Sequence, residues 1–341
     1  MRTLTYALMN APTHTLKTAE NWSVAALGWR GQDLQRPECV LATASGNLYC
    51  ADWRGGVAQL RPDGSQDLFV GHLPGGAELR PNGIALLPDG SFLIAHLGAN
   101  DGGVYRLWRD GRLEPWLLQV DGQALPPTNF VWLDHQGRTW ITVSTRRQPR
   151  SLGYRAGGGD GFIVCVSALG QARIVADGLG YTNELAIDPS GRWLYVNETF
   201  ARCLSRFALQ ADGSLGAKEV VTRFGAGCFP DGLAFDEAGC AWVVSIVSNR
   251  LIRVAPDGQA TLWLEDADAQ HLAWVETAYR NDQMDRPHLD AVRSQRLRNI
   301  SSIAFAGPDR RTGVLGCLLG DRLATLQMPA PGLEPFHWNT P

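Results

Sequence analysis

The sequence has no stretch built to cross a membrane and no block of one charge. No uninterrupted apolar run approaches the ~20 residues that a membrane-spanning helix needs. Thirty-one Lys and Arg stand against 34 Asp and Glu, a formal net charge of -3. Without a basic stripe there is no electrostatic footprint for nucleic acid or an anionic bilayer, so neither partner is expected. The opening residues "MRTLTYALMNAPTHTLKTAENW" lack the apolar core and small-residue cleavage pattern of a secretory leader. Seven cysteines (Cys39, Cys50, Cys165, Cys203, Cys228, Cys240, Cys317) are odd in number and scattered, with no C-x-x-C pair and no zinc-finger spacing. Reduced thiols in a cytoplasmic protein are the expectation. The Asn-x-Ser/Thr sequons at Asn21, Asn197 and Asn299 then carry no glycosylation role.

Several catalytic signatures are also missing. There is no Gly-x-Ser-x-Gly elbow, no His-Glu-x-x-His helix and no cysteine in a nucleophile context. The Gly-rich part of residues 147–160 lacks the Gly-Lys-Ser/Thr of a phosphate cradle. Helical apolar stripes are few. What is present is 45% hydrophobic residues with 38 Gly and 19 Pro, the composition of a turn-rich globular chain.

The main signal is a repeat. Six phrases share one register: "ECVLATASG" ending at Gly46, "NGIALLPDG" at Gly90, "NFVWLDHQG" at Gly137, "NELAIDPSG" at Gly191, "DGLAFDEAG" at Gly239, and the degenerate "SSIAFAGPD" at Asp309. Their third letter is always aliphatic: Val40, Ile84, Val131, Leu185, Leu233 and Ile303. Each phrase leads into a second strand-like run such as "SFLIAHL" or "RWLYVNE", and four are followed by a third run ending in a polar turn. Asp-Gly and Asp-Pro-Ser-Gly tips suit tight turns because these residues tolerate positive φ. Successive turn glycines lie 44 to 54 residues apart, which suits a four-stranded propeller blade of ~40–50 residues. The expectation is therefore all-β: a six-bladed β-propeller of four-stranded antiparallel blades, one domain over 1–341. Insertions at 147–160 and 262–300 read as lids or binding loops, and "DQMDRPHLDAVRSQRLRN" reads as a short charged helix.

In a propeller the innermost strands line the central channel. The first letters of the phrases then form a ring: Glu38, Asn82, Asn129, Asn183, Asp231 and Ser301. Two carboxylates and three amides converge there without Lys or Arg. Such oxygens suit a hard divalent cation, which would also offset the cost of burying unpaired carboxylates. As strand-start residues, the same side chains could instead bond to nearby backbone amides. Glu184 should lie beside Asn183, on the other face of its strand or in the mouth.

"PNGIALLPDG", "ALQADGSLGAKEVVTRFGAGCFPDGLAFDEAGCAWVV" and "FAGPDRRTGVLGCLLGDRL" resemble the SMP-30/gluconolactonase family of six-bladed propellers. The similarity runs from about residue 36 to residue 329. It implies one divalent metal in the channel, calcium first, with zinc, manganese, magnesium or ferrous iron as other candidates. It also implies ligands Glu38, Asn183 and Asp231, with Asn129 as a further ligand or a substrate contact. Lactone-hydrolysing members often carry an Arg shortly before the third-blade Asn, where this chain has Pro126 and Pro127. The Gly that usually follows the fourth-blade Asn is Glu184.

The resemblance implies hydrolysis of a lactone or similar small cyclic ester, with the metal as Lewis acid and Asp231 as general base or water-orienting group. Asn82, Asn129 and Glu184 would contact substrate, and Trp53, Phe130, Tyr154 and Phe229 could line the mouth. His96 and His271 have no identified partner and more simply read as structural. "RPECVLA" and "VNETFARCLSRF" also resemble the strictosidine-synthase-like branch, whose chemistry would turn on a carboxylate such as Glu184 or Glu198. A binding propeller with a structural cation is the third reading. Monomer and homodimer are both open.

Overall fold

The recurring aspartates explain why the phrases turn where they do. In "DHQG" the Asp134 Oδ1 accepts the backbone N–H groups of Gln136 and Arg138, each at 2.9 Å, while Gly137 takes φ 73°. The other oxygen, Oδ2, accepts from Trp140 Nε1 at 2.8 Å and Arg138 Nε at 2.6 Å, so the turn is pinned to the next strand. Asp236 repeats the device with Cys240 N and Trp242 Nε1. A carboxylate taking several N–H donors is a strong local lock. Each such turn sends the chain back along its sheet.

The computed structural model describes residues 17–19, 22–291 and 293–340. The leader-free reading of the opening residues falls mostly outside that range, as does Asn21. The chain forms the six-bladed β-propeller of four-stranded antiparallel blades. The innermost strands of blades 1 to 6 are Val40–Ala42, Pro81–Leu86, Phe130–Leu133, Thr182–Ile187, Cys228–Phe235 and Ile300–Ala306. Blades 1 to 5 are sequential meanders. Blade 6 is composite: Ile300–Ala306, Thr312–Cys317 and Leu323–Gln327 are completed by Gly28–Arg30 from near the other end of the chain. Lys17–Thr18 adds in parallel to the outer edge of blade 5 at Ala260–Leu264.

The aliphatic third letters are all buried, at most 5% exposed, and pack neighbouring blades together. Just before them the inner strands slip register, between Pro81 and Ile84, Thr182 and Leu185, Pro230 and Leu233, and Ile300 and Ser302. Bulges of this kind re-aim side chains, and here they fall on the ring positions. Neighbouring blades approach closely at that level: a Cβ on Gly83 would sit 2.6 Å from Phe130 Cα.

Both insertions leave from the end of the ring where the inner strands begin. They share a core there, with Tyr154 of the first packed among Tyr181, Phe200, Phe229 and Tyr279. The charged stretch 282–299 was expected to be the helix, and this needs correction. The longer helix, α1 (Ala269–Arg280), precedes it, and only α2 (Arg286–Asp290) lies within it. Helix α1 has the better credentials: Asp268 caps it by accepting from His271 N, and it buries His271, Val275, Ala278 and Tyr279 on one face. Beyond α2, the Asp266 carboxylate takes the N–H groups of Gln295, Arg296 and Leu297 and holds that segment out of helix.

Candidate functional site

The six ring residues are all buried, between 1% and 6% exposed. Asn82, Asn183, Asp231 and Ser301 stand at the register slips of their strands, while Glu38 and Asn129 lie just before strands that pair without a bulge.

Three of the amides are linked in order. Asn82 Nδ2 donates to Asn129 Oδ1 at 3.0 Å and to the Asn129 carbonyl at 2.9 Å. Asn129 Nδ2 donates to Asn183 Oδ1 at 2.7 Å, and Asn183 Nδ2 donates to Thr199 Oγ1 at 3.1 Å. The hydroxyl of Thr199 in turn donates to the Pro230 carbonyl at 2.8 Å. Because that hydroxyl has spent its only hydrogen, it can only accept from Asn183. The Asn183 amide is thereby oriented, its NH2 on Thr199 and its oxygen on Asn129. At the head of the chain Asn82 Oδ1 is buried without a partner.

The carboxylates crowd one another. Burial pushes Asp231 well above the usual carboxylate range, with the charges of Glu38 and Glu184 adding to the shift; Arg36 and a hydrogen bond from Asn183 pull the other way. Glu38 is paired with Arg36, Nε at 3.0 Å and NH2 at 2.8 Å, and its main-chain carbonyl accepts from Ser301 Oγ at 3.0 Å. Arg36 reaches the ring from just outside the first phrase. It was not anticipated, although "RPECV" placed an arginine two residues before the candidate ligand.

Glu184 is 5% exposed, buried inside the channel and facing its other half. Its Oε2 accepts from Leu233 N at 2.9 Å. Burial raises it to about 8, against the opposing effect of the Leu233 and Ser302 hydrogen bonds and with a further rise from Glu38. It borders a cavity of about 240 Å³ whose walls include Phe130, Trp132, Ala186 and Ile303, with Leu333 and His337 from the C-terminal segment.

The remaining sequence candidates divide clearly. Trp53 is half-buried near Arg36, its Nε1 donating to the Pro81 carbonyl. Phe130 lines the lower cavity, while Tyr154 and Phe229 are consumed in the aromatic core beneath the insertions. His96 is buried with Nδ1 accepting from Arg80 N, and His271 is buried on α1. Glu198 is fully engaged by Gly180 N, Ser205 Oγ and Lys218. The seven cysteines are free and buried, and Asn197 and Asn299 are buried as well.

Among the described residues no three His, Cys, Asp or Glu side chains gather as a ligand group. A cation here would depend on the amide oxygens as much as on carboxylates. The donor set still fits one. Glu38 and Asp231 supply hard anionic oxygens, Asn183 presents a fixed amide oxygen, and Asn82 Oδ1 is an unpartnered buried acceptor nearby.

The model of the SMP-30/Gluconolactonase/LRE-like region matches residues 36–265, and the chain belongs to this family. A 6-deoxy-6-sulfogluconolactonase from Pseudomonas putida is 33% identical over 181 residues, 52% of this chain and 53% of that protein. The chain thus spans about half the length of the curated relative it matches. A gluconolactonase structure from Xanthomonas campestris superposes with a TM-score of 0.65 at 18% identity, covering 94% of this chain and 96% of that one. A calcium-binding regucalcin from Agrobacterium tumefaciens gives 0.61 at 18% identity, covering 92% and 98%. At such identities the structural likeness speaks for the fold alone. No helix among the described residues is long and apolar enough to cross a membrane.

Proposed function

We propose that this protein hydrolyses a lactone of the sugar-acid type, or a similar small cyclic ester, with the help of one divalent cation. The observation that carries this reading is Asp231. Burial, with the charges of Glu38 and Glu184 adding, drives this carboxylate toward its protonated form, and it stands beside the Asn183 amide that Thr199 and Asn129 hold in place. The name of the Pseudomonas putida relative, a lactonase of a sulfonated sugar acid, supports it.

Glu38, Asn183 and Asp231 would hold the cation, with Asn129 able to contribute. Once bound, the cation would supply Lewis-acid polarisation of the ester carbonyl. Asp231 would orient the attacking water and take its proton, the cation keeping its carboxylate ionised for that task. Asn82 and Asn129 present amide groups for the substrate's hydroxyls. Glu184, facing the other half of the channel, closes the floor of the site. Burial of the whole ring limits water at the reacting atoms and strengthens each of these interactions.

The reading is tested by calorimetric titration of metal-stripped protein with calcium, zinc, manganese, magnesium and, anaerobically, ferrous iron. Asp231→Asn is run in parallel. One site in the wild type, weakened in the variant, together with a fall in lactone turnover of about 10²–10⁴-fold, is expected for loss of a general base. Absence of binding by every ion, or equal turnover by the variant, would reject it. A bound cation with no turnover of any lactone would favour the structural-cation reading.

A further inference from the structure

Among the described residues Arg36 is the one cationic side chain paired to a ring carboxylate, and its setting is unusual. Its backbone takes φ 50°, a region that non-glycine residues seldom occupy, and the Arg36 carbonyl accepts from Glu38 N at 2.7 Å. Such an outlier beside a candidate site suggests function rather than chance. The turn carries the side chain inward, where only 11% of it is exposed. The guanidinium lies 4.4 Å from the centroid of the Trp53 ring, and the Arg80 guanidinium lies 4.9 Å from the same ring. Trp53 is itself fixed by its bond to the Pro81 carbonyl, one residue before Asn82.

Two of the Arg36 nitrogens, Nε and NH2, reach Glu38 Oε2. Among the described residues its remaining N–H groups have no hydrogen-bond partner, yet none is counted among the buried unpartnered atoms. They therefore keep some accessibility and can take a ligand's oxygens. A divalent cation would cancel the charges of Glu38 and Asp231 and draw Glu38 to itself. Arg36 would then be left with no counter-charge and a free planar fork, the geometry that binds carboxylate, sulfonate or phosphate oxygens. Glu184 does not take its place, since it is satisfied by Leu233 N and Ser302.

We infer that Arg36, stacked on Trp53, is the specificity residue of the site and selects lactones that carry a second, anionic group. This inference rests on the lactonase reading above and names its substrate class. It also accounts for a sequence with Pro126 and Pro127 just before Asn129: the cation that recognises substrate comes from blade 1 rather than blade 3.

The test compares metal-loaded wild type, Arg36→Met and Arg36→Lys on a neutral aldonolactone and on aldarolactone and sulfonated lactones of the same ring size. Wild type should favour the anionic lactones. Arg36→Met should lower kcat/KM for them, mainly through KM, by about 10–100-fold more than for the neutral lactone, the scale of a charged hydrogen bond. Arg36→Lys should restore part of that loss. Equal losses on both substrates, or none, would overturn the inference. Calorimetry supplies a readout apart from turnover: the metal should bind Arg36→Met at least as tightly as wild type, because a competitor for Glu38 has gone. A metal site lost in that variant would mark Arg36 as merely structural and also overturn it. If wild type turns over no lactone, the lactonase reading fails by itself. Titration of metal-loaded protein with glucarate against gluconate then decides Arg36: glucarate binding weakened in Arg36→Met supports it, and unchanged binding sinks it.

Discussion

Thr199 stands behind Asn183 and decides which way its amide faces. The hydroxyl gives its hydrogen to the Pro230 carbonyl and leaves Asn183 Nδ2 only a lone pair to bond, at 3.1 Å. A candidate metal ligand on blade 4 is thus oriented by the backbone that immediately precedes Asp231 on blade 5. Through Thr199 the strand carrying Asn183 is tied to the residue just before Asp231.

Thr199→Val, which keeps the shape and removes the hydroxyl, should free the Asn183 amide to rotate. Partners that orient ligands are typically worth 10–100-fold in metal affinity. A loss of about that size by calorimetry is expected, with an unchanged far-UV spectrum. Unaltered affinity would separate Asn183 from the cation.

Glu184 should make the metal-free protein sensitive to alkali. Its carboxyl holds its proton up to about 8 in the fold but loses it near the ordinary value when unfolded. Its contribution to stability is therefore fully present below pH 4.5 and is lost as pH rises to 8. Glu184→Gln escapes this loss. It should exceed wild type in stability at pH 8 by on the order of 3 kcal/mol, with the difference fading toward pH 4.5 in urea denaturation.

His337 works in the opposite direction. Burial lowers its imidazole to about 4, despite its bond to the Ala42 backbone, and leaves Nε2 without a partner. The unfolded chain takes up this proton below about pH 6.5 and the folded one only near 4, so stability falls as pH drops through that interval. A loss of about 2–3 kcal/mol between pH 7 and 4.5 is expected from this group. His337→Gln should show a correspondingly flatter acid limb; parallel limbs would assign the loss elsewhere.

Glu276 anchors α1 to the propeller. Its carboxylate takes Arg202 at 2.6 and 3.2 Å and Gly227 N at 2.6 Å, and Arg202 lies 3.7 Å from the centroid of the Tyr279 ring. Removing one partner from a buried pair costs about 3–5 kcal/mol. Glu276→Ala should lose stability on that scale, and hydrogen exchange should show α1 opening ahead of the blades.

Much of the fold was readable because each phrase carries its own instruction. The turn aspartates, the glycines with positive φ and the aliphatic third letters act locally and recur, so even the degenerate sixth phrase was placed in register. The ring followed from that register. Three features were not readable. Gly28–Arg30 has three residues and no turn signal, so nothing local marks it as the last strand of blade 6. The α1 segment has modest apolar patterning, and its helix is fixed by Asp268 and by burial against the aromatic core. Arg36 and Thr199 belong to the site through contacts that no repeat position announces: Arg36 is drawn inward to Glu38 by an unusual backbone angle, and Thr199 links Asn183 to the Pro230 carbonyl of the next blade. Glu184, by contrast, was visible as a carboxylate where a glycine is usual, but its depth in the channel depended on the bulge.

The composite blade has a consequence for synthesis. Gly28–Arg30 leaves the ribosome early, whereas its partner Leu323–Gln327 is made nearly a full chain length later. At ordinary translation rates that is roughly 15–60 s, during which blades 1 to 5 can form but the ring cannot shut. For that interval the nascent chain carries an unpaired strand at one end and an open blade edge at the other, the kind of exposed edges that invite pairing with a neighbouring chain. Slow steps late in translation would therefore be felt as aggregation of an otherwise well-built molecule.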